Sequence, residues 1–367
     1  MKQADLKQQF QIPRGVPLKI DAYDDLDVQV LRIGLRHSAL ISKEGTLYMF
    51  GNGNWGVLGQ GNEEGARFDQ PVEVTKFSKL GLKVVDIALG EFHSFALTDD
   101  GNVWTWGYPG KQGYFNWLYT QEIGALGHNN IEPKFTPTKV SFFEENGIKI
   151  KSISAGLYHC NALSTAGDLY SWGRGLYGVL GNGSNQHSLA PILNEDVQAM
   201  QEEDKEGYQI TSMDSADEYT MIKTANDSLF AWGKNDRGQM GTGAGIGIDM
   251  VECENVPTQV DLLDNQDQLK VGKAFAVGQN SMMSMDSDNN VYIAGQKLNY
   301  TPKQLQFDSS ILDVKDITQM RCGRKHYILL DKNNDLFVWG NVFTEISLEQ
   351  TEGFFKYQGD KLFNGSQ

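Results

Sequence analysis

Short alternating and β-branched runs recur along this chain in a fixed phase with an aromatic–glycine pair. Four copies of the pattern Gly-x-x-His each begin sixteen residues before an aromatic residue that is followed by glycine. These copies run from Gly34 to His37, Gly90 to His93, Gly156 to His159 and Gly323 to His326, and their aromatic residues are Phe50, Trp106, Trp172 and Trp339. Two eroded copies keep the same offset, from Ala216 to Trp232 and from Gly278 to Ala294. The pattern therefore predicts six repeat units.

Each unit predicts a sheet of four short strands. Two strands and a tight turn separate the histidine position from the aromatic residue, and the turn carries types that tolerate a left-handed backbone: Gly45, Gly101, Gly167, Asp227, Asn289 and Asn334. A β-branched run upstream, such as Val84 to Leu89, predicts a buried inner strand. A downstream segment led by Pro71, Pro137, Pro191, Pro257 or Pro302 predicts an outer strand, because proline cannot donate to a central ladder. The sixth unit lacks such a segment, so three strands are expected there.

Consecutive sheets that cannot bury both faces alone are stabilised by packing around an axis, so the sequence predicts an all-β fold, a single β-propeller. Pro17 to Ile20 resembles an orphan outer strand, and Phe354 to Gly365 a degenerate seventh hairpin with Glu345 to Gln350 as its inner strand. We therefore expect seven blades, with the N-terminal strand closing the C-terminal blade, and six blades as the alternative. Residues 1–16 would be an N-terminal extension and residues 17–367 the propeller.

The segments GLRHSAL from Gly34, GEFHSFAL from Gly90 and GLYHCNAL from Gly156, together with GVLG or its variants from Gly56, Gly124, Gly178 and Gly238, resemble the repeats of the regulator of chromosome condensation family. The resemblance covers residue 17 to the C-terminus and implies a seven-bladed propeller. It also implies protein docking as the shared property, in a family that includes a GTPase exchange factor, a plant ultraviolet-B photoreceptor and modules of ubiquitin ligases. The photoreceptor has additional tryptophans in its tetrads that are missing here.

Composition narrows the partners. The net charge of −15 disfavours direct nucleic-acid binding, and no run of apolar residues predicts a transmembrane segment. Three scattered cysteines, Cys160, Cys253 and Cys322, do not form a disulfide framework. We therefore expect a reducing intracellular compartment, cytoplasmic by default with mitochondrial or ciliary locations as alternatives, and not the secretory route.

The repeated histidines and tryptophans invite a catalytic or metal interpretation, yet their recurrence at one repeat position favours a structural role in every sheet. We assign this role to Gly34, His37, Gly90, His93, Trp106, Gly156, His159, Trp172, Trp232, Gly323, His326 and Trp339. No nucleophile, phosphate-binding or metal motif has its required context. The sequence predicts no enzyme activity, no cofactor and no metal.

One excursion is the candidate partner-binding element. The second unit is enlarged between Gly107 and Gly127 by an aromatic-rich stretch that holds Tyr108, Tyr114, Phe115, Trp117 and Tyr119. Clustered exposed aromatics are typical of interface anchors, and the alternative is that the loop folds back onto its own blades. A second, acidic insertion from Asn194 to Tyr208 predicts a solvated helix or linker. We expect a non-catalytic scaffold or accessory subunit of a larger complex, or alternatively a guanine-nucleotide exchange factor for a small GTPase.

Overall fold

A computed structural model describes residues 26–61, 66–112, 121–243, 253–296, 299–307, 312, 314–324, 326–340, 355–358 and 361–362. The predicted closing strand at Pro17 to Ile20 and the predicted inner strand at Glu345 to Gln350 lie outside these ranges. So do Tyr114, Phe115, Trp117 and Tyr119 of the aromatic excursion.

Within the described residues the strands form six large antiparallel sheets, each a meander in sequence order. The first sheet contains β1 (Val28–Ile33), β2 (His37–Ser42), β3 (Leu47–Asn52) and β4 (Arg67–Glu73), and the second β5 (Val84–Leu89), β6 (His93–Thr98), β7 (Val103–Gly107) and, beyond the β8 (Lys111–Gln112) and β9 (Gln121–Glu122) hairpin, β10 (Lys134–Lys139). The third contains β11 (Ile150–Ala155), β12 (His159–Ser164), β13 (Leu169–Gly173) and β14 (Ser188–Leu193).

The fourth sheet contains β15 (Ile210–Ala216), β16 (Tyr219–Thr224), β17 (Leu229–Lys234) and β18 (Cys253–Gln259), and is followed by a small hairpin of β19 (Leu262–Leu263) and β20 (Leu269–Lys270). The fifth contains β21 (Gly272–Val277), β22 (Ser281–Asp286), β23 (Val291–Gly295) and β24 (Asn299–Gln304). The sixth contains β25 (Ile317–Cys322), β26 (His326–Asp331), β27 (Leu336–Gly340), β28 (Phe355–Gln358) and β29 (Lys361–Leu362).

Short helices follow the outer strands of the first three sheets: α1 (Thr75–Leu80), α2 (Ser141–Glu145) and α3 (Glu195–Glu203). The acidic insertion forms α3, and the Asn194 side chain caps this helix by accepting a hydrogen bond from the Val197 amide at 2.9 Å. The insertion therefore contains a helix, which is one of the two forms predicted for it.

The predicted turn and edge chemistry is confirmed. The six turn residues all have positive φ, from 62° at Asn334 to 106° at Gly167. The five prolines that lead the predicted outer strands lie in β4, β10, β14, β18 and β24, each the last strand of its sheet, where a missing amide donor breaks no central ladder.

Every sheet carries the same irregularity in its innermost pair of strands. The register shifts after the first paired residue of the inner strand, namely after Val28, Val84, Ile150, Ile210, Gly272 and Ile317. A bulge of this kind increases the local twist. Its recurrence shows that the units repeat in backbone detail as well as in sequence.

The sheets pack face to face as a β-propeller. Five hydrophobic clusters each join two consecutive sheets; one of them brings Phe95 and Leu97 of the second sheet against Ile153 and Trp172 of the third. The inner strands surround a common axis, because the carboxylate of Asp214 in the fourth sheet interacts electrostatically with both Arg32 of the first and Arg321 of the sixth.

Six blades are therefore present, which is the alternative count, and a seventh is not confirmed. Residues assigned to a separate seventh hairpin form β28 and β29 instead, and β28 pairs with β27 through Val338 and Phe355. The sixth sheet thus has an outer strand although it lacks a proline segment, and the expectation of three strands there is wrong. Alternating side chains specify a strand but not its neighbour, so the sequence alone does not choose between these pairings.

The face of the first sheet that carries Leu31 and Ile33 is apolar and is not covered by another described sheet. Leu31 and Ile33 are 54% and 79% exposed, whereas Ile87, the counterpart of Leu31 in the second sheet, is 1% exposed. On the sixth sheet, Ile328 and Leu330 are half-buried, while their counterparts Phe95 and Leu97 are buried. The first and last described sheets each lack, on these faces, the neighbour that covers the other sheets.

Candidate functional site: the tetrad-loop face

The outer two positions of each Gly-x-x-His tetrad are fixed by packing. In the four intact copies the glycine amide donates to the carbonyl of the histidine, at 2.8 to 3.0 Å, so the tetrad is a tight turn. At Gly90, Gly156 and Gly323 a Cβ atom would overlap the imidazole of the same tetrad. Glycine is required there because the histidine ring lies across its Cα.

The histidine rings lie between sheets. His37 Nε2 is 3.0 Å from Ser94 Oγ, His93 Nε2 is 3.2 Å from Cys160 Sγ, and His159 Nε2 is 3.1 Å from Thr220 Oγ1. Each contact joins one sheet to the next. In the eroded fourth unit Tyr219 takes the histidine position, and its hydroxyl donates to the carbonyls of Gly278 and Ser281, each at 2.9 Å.

The histidine side chains contact the next sheet, whereas the tryptophan side chains contact the preceding one. The indole N–H groups of Trp106, Trp172 and Trp232 donate to the carbonyls of Val57, Ala125 and Val179 in the preceding unit, at 2.7, 3.1 and 3.1 Å. These carbonyls belong to the GVLG-type loops, whose closing glycines, Gly59, Gly127 and Gly181, lie against the indoles. Trp339 in the sixth sheet stacks on Tyr327, with ring centroids 5.2 Å apart.

This burial removes the acid–base chemistry that the histidines could otherwise offer. It lowers the pKa from 6.5 to about 3 for His37 and His159 and to about 4 for His93. Burial also raises the pKa of the Cys160 thiol beside His93, so this pair is a neutral contact and not a thiolate–imidazolium nucleophile. Among the described residues no three His, Cys, Asp or Glu side chains are grouped to hold a metal ion.

We define the tetrad-loop face as the middle two residues of each tetrad together with Arg174 and Lys234, which pair with Glu218. Its tetrad residues are Leu35, Arg36, Glu91, Phe92, Leu157, Tyr158, Asp217, Glu218, Gln279, Asn280 and Arg324. On its first three sheets, Arg36 is paired with Glu91 at 3.1 Å and lies over the Phe92 ring, 5.0 Å from its centroid. The Tyr158 hydroxyl donates to the same Glu91 at 2.7 Å.

A second part of the network spans the third and fourth sheets. Glu218 receives Arg174 at 2.6 Å and Lys234 at 2.9 Å. The Tyr177 ring lies between these cations, 5.9 Å from the Arg174 guanidinium and 4.7 Å from the Lys234 ammonium. Arg174 also lies 5.8 Å from the Tyr158 ring, which connects the two parts. Such partly buried pairs hold the loops in one geometry.

Around the axis the face continues to the fifth and sixth sheets. Burial raises the pKa of Asp217 to about 6, against the opposing effects of a hydrogen bond from Gln279 and of the Arg324 charge. Desolvation also raises the pKa of Asp214, which lies in β15, to about 6.

Two aromatic residues at equivalent places beside this face have a left-handed backbone. Trp55 has φ 65° and Tyr177 has φ 63°, each directly before the first glycine of a GVLG-type loop. For residues other than glycine, this conformation costs about 1–2 kcal/mol. Trp55 contacts Tyr108, the first aromatic of the excursion, with ring centroids 4.7 Å apart.

The predicted partner-binding residues are therefore only partly placed. Tyr108 lies beside the tetrad-loop face, where its amide donates to the Phe92 carbonyl at 2.7 Å; the other four lie outside the described residues. The sequence did not lead us to Arg36, Tyr158, Arg174 or Trp55. Arg36 and Tyr158 could have been found from the sequence, because both are middle residues of a tetrad and so lie on the same side of the repeat.

Within the described residues, six antiparallel sheets, five of four strands and one of five, are joined by tetrad and tryptophan contacts and define a β-propeller with one face of variable loops. The chain belongs to the RCC1-like domain family, whose model matches residues 3–342. In sequence it is 27% identical over 339 residues to the ultraviolet-B receptor UVR8 of Arabidopsis thaliana, covering 89% of this chain and 68% of the receptor. It is 28% identical over 316 residues to the human E3 ubiquitin-protein ligase HERC2, covering 82% of this chain but only 6% of the ligase.

Among solved structures the chain is similar in fold to Prp20p from Saccharomyces cerevisiae, with a TM-score of 0.70 at 18% identity over 92% of this chain and 78% of that one. It is also similar to human WBSCR16, with a TM-score of 0.66 at 19% identity over 86% and 77% of the two chains. Within the described part of the chain, no helix has the length and apolar character needed to cross a bilayer.

We expect the buried histidines to make the protein acid-sensitive. Their folded pKa values lie below the unfolded value of 6.5, so the unfolded chain binds protons that the folded protein excludes, and their contribution to stability is lost as pH falls from about 6.5 towards 3. Asp214 and Asp217 act in the opposite sense, because their raised pKa values favour protonation of the folded protein over an overlapping range.

A single substitution separates these effects. In His159→Gln, we expect the slope of the free energy of unfolding against pH between 4 and 6 to fall by up to one proton, about 1.4 kcal/mol per pH unit. Urea denaturation of both proteins at several pH values measures this slope. An unchanged pH dependence in the variant would contradict the assignment of a buried, neutral His159.

Proposed function

We propose that this chain is a non-catalytic docking platform whose tetrad-loop face binds another protein of a larger assembly. One observation carries the proposal: over four consecutive sheets the face holds arginine and aromatic side chains in a continuous network from Arg36 to Lys234. Arginine, tyrosine and tryptophan are the residues that dominate protein–protein binding energy, and side chains that are already ordered lose less entropy on binding.

Neutral histidines and the protonated Cys160 thiol support the non-catalytic part of the proposal. Cys160 and Cys322 are free thiols, which suits a reducing intracellular compartment. One relative in sequence, the RCC1 domain-containing protein RUG3 of Arabidopsis thaliana, is mitochondrial and 26% identical over 267 residues. We propose the cytoplasm as the default location, with a mitochondrial one as the alternative.

Charge reversal tests the docking face. The variant with Arg36→Glu and Arg324→Glu should recover at least tenfold less partner in affinity purification and quantitative mass spectrometry, a loss of about 1.4 kcal/mol or more. Lys43→Glu is the matched control, because Lys43 is also exposed and paired with a carboxylate, that of Asp27. Equal recovery by the face variant and wild type would exclude this face as the docking site.

Guanine-nucleotide exchange is the alternative function. The observation that favours it is the β8–β9 hairpin at the base of the aromatic excursion, since an exchange factor needs an element to displace the nucleotide. The structure of Prp20p was reported with its binding to Gsp1p and histones, which supports the alternative by fold analogy. We expect no acceleration of labelled GDP release from a panel of small GTPases; acceleration of tenfold or more would replace the scaffold by the exchange factor.

We also propose that the platform is a closed, seven-bladed ring, with residues from both ends of the chain covering the open faces of the first and sixth sheets. Support comes from the apolar character of Leu31 and Ile33 on one side and of Ile328 and Leu330 on the other. Closure would fix the spacing of the tetrad loops and so the geometry of the docking face.

One polar substitution tests closure. If Ile33 is covered in the full chain, Ile33→Asn should lower the free energy of unfolding by about 2 kcal/mol or more, because a buried amide would replace an apolar side chain. Leu269→Asn, at a position 62% exposed on β20, should change it by about 0.5 kcal/mol or less. Similar, small effects of both substitutions in urea denaturation would show that the face of the first sheet is open.

A further inference from the structure

The surface beside the first two tetrads combines exposed apolar groups with the exposed cation of Arg36. Leu35 and Trp55 are 65% and 43% exposed, and the side chain of Arg36 is 44% exposed. Arg36 lies over Phe92, and the Phe92 carbonyl holds the amide of Tyr108, which packs on Trp55. These contacts join Arg36, Phe92, Tyr108 and Trp55, and Leu35 precedes Arg36 in the chain; we call these five residues the aromatic patch.

The backbone of Trp55 indicates that its side chain is needed for something other than folding. A left-handed residue directly before Gly56 would be satisfied with less strain by glycine or asparagine. Tyr177 has the same conformation but its ring is enclosed by Arg174 and Lys234, which gives it a structural reason to be aromatic. The Trp55 ring contacts only one described aromatic partner, Tyr108, and keeps much of its surface open.

Charge defines the kind of partner. The chain carries a net charge of −15, which steers acidic molecules away from most of its surface. In the Arg36–Glu91 pair the guanidinium is 44% exposed and the carboxylate 15%, so an approaching molecule meets mainly the cation. A planar guanidinium can donate hydrogen bonds to a second carboxylate while it remains paired with the first.

We propose that the aromatic patch is the anchor of the docking face and binds an acidic protein segment, with an apolar side chain on Trp55 and Leu35 and a neighbouring carboxylate on Arg36. This deepens the proposed docking function and rests on it. Trp55 supplies the apolar contact area, and Arg36 fixes the position of the bound segment by pairing with its carboxylate.

The experiment selects ligands from random sequences, so the partner need not be identified first. A phage-displayed library of random twelve-residue peptides is panned on the immobilised full chain, after depletion on Trp55→Gly. The selected peptides should carry Asp or Glu next to a large apolar residue. Synthetic versions are then titrated against wild type, Trp55→Gly, Arg36→Gln and Asn334→Gly by fluorescence anisotropy.

We expect Trp55→Gly to weaken binding at least tenfold while thermal unfolding occurs at the same or a higher temperature, because glycine relieves the left-handed strain. Arg36→Gln should weaken binding and reduce its dependence on salt concentration. Asn334→Gly makes the same change to glycine at an exposed left-handed position in a turn of the sixth sheet, outside the patch and the docking face, and should bind the peptides as wild type does.

Three results would overturn the assignment: no enrichment over the depleted library, enriched peptides without acidic residues, or equal loss of binding in Trp55→Gly and Asn334→Gly. The proposed docking function is judged separately, by the charge-reversal variant in affinity purification. If that variant loses its partner while Trp55→Gly retains it, the docking face stands and the aromatic patch is not its anchor.

Discussion

The hydrogen bond that each of Trp106, Trp172 and Trp232 donates to the loop of the preceding sheet is the interaction on which the packing of the first four sheets depends. It joins the end of one unit to the middle of the next, as from Trp106 to Val57 at 2.7 Å, and the closing glycine of the loop must lack a Cβ for the indole to approach. An indole N–H buried without a partner would be costly, so the spacing between loop and tryptophan is constrained. This constraint keeps the repeats in phase, and the histidine contacts act across the same interfaces in the other direction.

Because of that packing, the four positions of the tetrad have different roles. The first and fourth positions are committed to it, because the histidine ring covers the glycine Cα and reaches the next sheet. The second and third positions are free to vary, and here they are Leu-Arg, Glu-Phe, Leu-Tyr, Asp-Glu and Gln-Asn in the first five units. Residues at these positions can therefore differ from unit to unit without loss of the fold.

The electrostatics of three tetrads is set by burial. Burial lowers the pKa values of His37, His93 and His159, so these rings are neutral at physiological pH while they contact the next sheet. The charged groups of the tetrad-loop face are largely paired with one another, as Arg174 and Lys234 are with Glu218. These contacts order the charged groups of the face, and in the proposed docking function the exposed Arg36 and, beside the face, the exposed Trp55 would contact the partner.

The sequence by itself determined the repeat, the strands, the tight turns and the edge prolines, because each depends on local backbone chemistry or on a period of two. It also indicated the structural histidines and tryptophans through their fixed phase. Only the tertiary structure decided which strands are neighbours, so that Phe355–Gln358 joins the sixth sheet, and which distant side chains meet. Glu91 and Tyr158 are 67 residues apart in the chain yet form one hydrogen bond, because packing around an axis brings equivalent loops together regardless of their separation in sequence.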